Sequence, residues 1–134
     1  MRAARIILLL AFVLLALAQL APVARENPPV VADLQAPPAI AGTLREACYD
    51  CHSHETRWPW YARVAPVSWL LAHDVAEGRE HLNFSTWGTL GPRKHARLLG
   101  KVAEDVDEGE MPPWAYALVH SRSEERRVGK ECRL

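Results

Sequence analysis

The sequence predicts an all-α fold, a small helical domain preceded by one apolar helix. Internal stretches repeat apolar residues at helical spacing, no stretch alternates apolar and polar residues as a half-buried strand would, and no hairpin signal joins two candidate strands. The 134 residues allow one modest domain, and ten prolines against seven glycines point to short elements joined by stiff loops.

Arg2 and Arg5 precede an apolar run from Ile6 to Ala24 whose only polar residue is Gln19. A run of nineteen residues is close to the roughly 20 that a spanning helix needs, and the positive flank keeps the N-terminus in the cytoplasm. Residues 1–24 therefore read as a signal anchor. The small-x-small site Ala16-Leu17-Ala18 keeps a cleavable signal peptide as the alternative. Either way the remainder leaves the cytoplasm, for the periplasmic side of an inner membrane or, after cleavage, for the periplasm itself.

Residues 25–38 form a proline-bearing linker, with Pro28-Pro29 and Pro37-Pro38, expected as an extended tether. Residues 39–121 make the domain. A first helix is expected over Ala39–Cys51, with Thr43 as N-cap and Glu46 completing a capping box. A second is expected over Ser68–Glu80, after Pro66, with Trp69, Leu70, Ala72, His73 and Ala76 on one face and Asp74, Glu77 and Arg79 towards water. A third runs from Pro92 to Glu108, ending before Gly109, and a short turn over Trp114–His120 follows. Residues 122–134 break this pattern. The string from Arg122 to Arg133 resembles a translated sequencing adapter, so this tail is expected to be non-native, a genuine basic tail being the alternative.

The 16 basic and 16 acidic residues conceal an asymmetry. The tail holds five basic and three acidic residues, and Arg2 and Arg5 lie before the apolar run, which leaves nine basic against thirteen acidic between them. A net charge of −4 without a basic stripe argues against nucleic-acid binding.

Outside the tail the only cysteines are Cys48 and Cys51, in Cys48-Tyr49-Asp50-Cys51-His52. C-x-x-C-H is the attachment signature of c-type haem. Positions i and i+3 share a helix face, so both thiols can reach the two vinyl groups, and the adjacent His52 can ligate the iron. Zinc would need a second ligand pair, which His54, His73, His81, His95 and His120 do not form by spacing. A redox dithiol expects a βαβ context. A plain disulfide over so short a loop would staple almost nothing.

Met111, the only methionine besides Met1, lies in Gly109-Glu110-Met111-Pro112-Pro113 and is the candidate for the second axial position; His73, His81 and His120 are its rivals. Trp58, Trp60, Tyr61 and Trp69 are candidate walls for a flat apolar macrocycle, and Arg57 and Arg63 candidate partners for its propionates, unless these residues serve ordinary packing and solvation.

The run CYDCHSHETRWPWY, followed by APVSWLLAHDVAEGREHLNFSTW and then GEMPPWAY with His120, resembles the bacterial haem-binding domain family, small cytochrome-c-like proteins of the cell envelope. The resemblance spans about Arg25 to His120. It implies a domain around one covalently bound haem c, with Cys48, Cys51, His52 and Met111 at the haem and usually an N-terminal membrane segment. Family members commonly continue past the histidine into another helix, which is not expected in this sequence. Electron transfer with redox partner proteins of the envelope is then the expected function. A haem-based sensor, a peroxidase-like enzyme with a labile distal ligand, and a structural module of a larger complex remain open.

Overall fold

The computed structural model describes residues 2–114 and 116, so the expected turn at Trp114–His120 falls mostly, and the tail wholly, outside the described residues. Among the described residues five α-helices run in chain order: α1 (Arg2–Ala18), α2 (Pro38–Ala47), α3 (Tyr49–His52), α4 (Val67–His81) and α5 (Pro92–Asp107). Short 3₁₀ segments at Trp60–Arg63 and Phe84–Thr89 flank α4. No strand occurs among the described residues.

Helix α1 is built from leucine, alanine and isoleucine, which favour helix or tolerate it well. It unwinds through tight bonds from Gln19, Leu20 and Ala21 to the carbonyls three residues back, and Pro22 has no N–H to continue it. None of its residues is buried. Its 17 residues span about 26 Å, and no helix among the described residues is long and apolar enough to cross a membrane.

The first domain helix departs from expectation. Pro37 and Pro38 preset the backbone for a helix start, so α2 begins at Pro38 with Pro37 as its cap. Thr43 is therefore no N-cap; it lies inside the helix and its Oγ1 donates to the Ala39 carbonyl at 3.3 Å. The helix also does not run through to Cys51. Cys48 leaves helical geometry at φ −121°, and the chain restarts as the single turn α3.

Helices α4 and α5 cover the residues expected of them, but α4 does not bury its expected apolar face: Trp69, Leu70, His73 and Ala76 are exposed, and Ser68 and Val75 are its buried residues, because α4 meets the Cys48–His52 turn and the Trp60–Arg63 segment through other positions. Gly109, at φ 77°, ends the α5 region and lets the N–H groups of Glu110 and Met111 both return to the Asp105 carbonyl, at 2.9 and 3.1 Å. The Phe84–Thr89 turn was not foreseen. Asn83 starts it by accepting from the Ser85 N–H at 3.0 Å.

That turn carries the core. Tyr49, Leu82, Phe84 and Trp87 form the buried cluster, flanked by Leu34, Leu44, Leu90, Leu98 and Val102. Tyr49 stacks on Phe84 at 5.1 Å between ring centroids, and Trp87 stacks on His95 of α5 at 4.6 Å.

The linker carries no helix before Pro38, and it is no free tether. The N–H groups of Val31 and Ala32 reach the Ser85 carbonyl, Leu34 N–H reaches the Phe84 carbonyl, and Gly88 N–H reaches the Ala32 carbonyl, at 2.9 to 3.1 Å. Backbone outside a helix keeps its donors unspent, and the 3₁₀ turn offers carbonyls to take them. Gly88 permits the approach, since a Cβ there would sit 3.0 Å from that of Ala32.

Candidate functional site

The Cys48–His52 turn is held between α2, α4 and the Phe84–Thr89 segment. The Cys48 carbonyl accepts from both the Cys51 and His52 N–H groups, at 3.2 and 2.9 Å, which keeps the motif in one compact turn. Cys48 and Cys51 are thiols, not a disulfide. Burial, reinforced by the charges of Asp50 and Asp74, pushes the Cys51 thiol up to about 11.

Helix α4 approaches this turn at a glycine. A Cβ on Gly78 would lie 2.9 Å from the Cys51 carbonyl oxygen, so only glycine lets the two backbones meet. The close approach brings the Gly78 carbonyl to 2.9 Å and the Leu82 carbonyl to 3.2 Å from Nδ1 of His52. A ring nitrogen facing two carbonyl oxygens is a donor, so in the neutral ring Nε2 carries the lone pair. This is the tautomer of a histidine that ligates a metal through Nε2, with its other nitrogen oriented by a backbone carbonyl.

The residues after His52 are tied down individually. Ser53 is fully buried and donates to the Tyr49 carbonyl at 2.7 Å. His54 uses both ring nitrogens. Asn83 Oδ1 is committed to Ser85, so its amide donates to His54 Nε2 at 2.9 Å, while Nδ1–H donates to the Pro29 carbonyl at 2.9 Å. Arg57, a candidate propionate partner, is paired through its side chain with both carboxylate oxygens of Asp50 at 3.1 Å. Arg63 is exposed and lies beside residues 18–23.

Arg79 corrects the reading that turned it to water. It donates to the Ser53 and Glu26 carbonyls, to Asn27 Oδ1 and to Thr56 Oγ1, at 2.7 to 2.9 Å, and burial pulls its pKa down. One side chain thus joins α4, the motif's exit and the linker.

The aromatic candidates separate. Trp58 and Trp69 line a cleft of about 400 Å³ with Ala72, Ala76 and Arg79, and the Trp58 indole N–H is buried without a partner among the described residues. Trp60 and Tyr61 form an edge-to-face pair at 5.7 Å, with Trp60 78% exposed. The aromatic ring recorded against His52 is instead Phe84, edge-on at 6.5 Å. Sequence reasoning passed over Phe84 and Gly78. The signals were present, in the Asn83 cap before Phe84 and in a lone glycine inside a helical pattern, which commonly marks close packing.

Met111 sits just beyond the Gly109 turn, its backbone fixed and its residue surface 39% exposed. His73 and His81 are exposed and flank Glu77 at 3.7 and 3.9 Å, His95 bonds the Trp87 carbonyl at 2.9 Å, and His120 lies outside the described residues. No group of three or more His, Cys, Asp or Glu side chains among the described residues is placed to hold a bare metal ion. An iron whose equatorial ligands come from a porphyrin needs only axial donors from the chain.

These features converge on a haem protein. The chain belongs to the haem-binding domain family, whose model matches residues 7–131, from within α1 into the tail. No curated protein and no solved structure matches it. Haem is accordingly its cofactor, and the donor set suits it: two adjacent thiols and an imidazole held by Nδ1 with Nε2 available.

Proposed function

We propose that the chain carries one haem c, attached through Cys48 and Cys51, and transfers single electrons in the cell envelope. His52 would ligate the iron through Nε2 and Met111 through its thioether. The bound haem supplies the reversible ferric–ferrous couple. The observation that carries this reading is the pair of carbonyls on His52 Nδ1. They fix the tautomer and the ring orientation, and they raise the basicity of Nε2.

Attachment needs no oxidant. Cys48 and Cys51 would each hold the group by adding S–H across a vinyl C=C, the sulfur bonding the inner carbon and the hydrogen passing to the terminal one. The motif's single turn keeps Cys48, Cys51 and His52 on one compact stretch of backbone. Thioether sulfur opposite histidine favours the ferrous state and leaves no open position for a substrate. Helix α1, with no buried residue and apolar at every position but Arg2 and Arg5, supports anchorage on the periplasmic side of an inner membrane.

Optical spectra of both oxidation states, with and without carbon monoxide, test the closed site. A sulfur-to-iron charge-transfer band and slow carbon monoxide binding are expected. Rapid binding without that band would favour the sensor or peroxidase-like alternative, for which the exposure of Met111 is the supporting observation.

A further inference from the structure

The chain leaving α1 is clamped at once to the Trp60–Val67 loop. The carboxamide of Gln19 accepts from the Ala65 N–H at 3.0 Å and donates to the Ala65 carbonyl at 3.3 Å. Arg25 donates to the Ala62 carbonyl at 2.9 Å. These bonds pin the loop from Trp60 to Val67 beside the last turn of the apolar helix.

The loop is packed inside out. Its small residues, Ala62 and Ala65, are buried, while Trp60, Val64 and Val67 are 78%, 44% and 42% exposed. Burial of apolar area would favour the reverse. Arg25 and the exposed Arg63 border the hollow formed by residues 18–23, next to this loop. Indole at the level of lipid headgroups, short aliphatics just below and guanidinium on phosphate is the chemistry of a membrane interface.

We propose that the Trp60–Val67 loop is a second membrane contact, seating the domain in a fixed orientation against the phospholipid headgroups of the leaflet from which α1 emerges. This rests on the reading of α1 as a retained membrane anchor. The contact is continuous with the helix through Gln19, which selects lipid as the occupant. Three apolar side chains also fall far short of the roughly 800 Å² per side of a stable protein partner.

The test uses the full-length, haem-loaded chain in vesicles containing a phospholipid with a diazirine near the headgroup end of its acyl chain. After irradiation, lipid adducts are mapped by mass spectrometry. Adducts are expected on α1 and on the Trp60–Val67 peptide, and Trp60→Glu should reduce the loop adducts to background while α1 adducts persist. Adducts confined to α1, or loop adducts unchanged in Trp60→Glu, overturn the docking surface and leave the anchor standing. A recovered chain whose mass begins after Ala18 overturns the anchor, and the docking surface with it.

Discussion

Glycine at position 78 matters because it has no Cβ. Its carbonyl orients His52 only because α4 can approach the Cys51 backbone to a distance that any side chain would block. Gly78→Ala should therefore push α4 away, lowering stability by about 1–3 kcal/mol through overpacking, with fewer haems bound per chain. Thermal denaturation and a pyridine haemochrome assay would measure both, and unchanged haem loading would show that the Gly78 contact is dispensable. Met111→Ala tests the proposed thioether ligand. The sulfur-to-iron band should vanish, carbon monoxide should bind readily and the reduction potential should fall, because soft sulfur favours the ferrous iron. Tyr49 adds a pH dependence. Burial, and then its hydrogen bond to Asp33, push its phenol from 10.0 up to about 12. The folded state thus holds the proton more tightly than the unfolded chain, so this contribution is complete below pH 10 and is lost as pH rises towards 12. Tyrosinate absorbance should show one phenol titrating late, and Tyr49→Phe should abolish that step.

At the scale of elements, the linker behaves as part of the domain. Its backbone pairs with the Phe84–Thr89 turn, and its side chains and carbonyls are gathered by Arg79 and Arg45. Arg45 reaches Asp33 at 2.7 Å and Glu55 at 3.0 Å, with its guanidinium 4.6 Å above the Tyr49 ring. Arg45 is half exposed and worth little as an ion pair alone, whereas Arg79 makes four bonds from a partly buried position. Arg79→Met should cost about 2 kcal/mol and release the linker. Hydrogen exchange at the Val31, Ala32 and Leu34 amides should accelerate, while α5 amides stay protected. Equal acceleration throughout would mean global unfolding, and the linker would then not be a separable strap.

For the whole molecule, the cofactor and the core are coupled. A domain this small buries few apolar side chains, and α5 buries none completely. Haem bound to the folded state alone would shift the folding equilibrium towards it. Protein matured with periplasmic haem attachment should retain its haem through acid–acetone extraction and denaturing electrophoresis. The Cys48→Ala, Cys51→Ala double variant should release haem under both treatments and melt at lower temperature. Quantitative haem loss from the unaltered chain would exclude thioether attachment.

What the sequence by itself determined was local. The thiol–thiol–imidazole spacing, the extents of α4 and α5, and the Gly109 stop each depend on residues within a few turns of one another, so they were legible without a fold. Thr43 failed as a cap through a competition that was also local, since the preset backbone of Pro37-Pro38 starts the helix first. Tertiary structure alone decided the rest. The acceptors for His52 Nδ1 lie 26 and 30 residues away, Arg79 turns from water to the linker, and Phe84 rather than the tryptophan-rich stretch packs edge-on against His52. Those outcomes follow from which faces meet when segments distant in sequence pack, and neither helical period nor spacing along one segment encodes that.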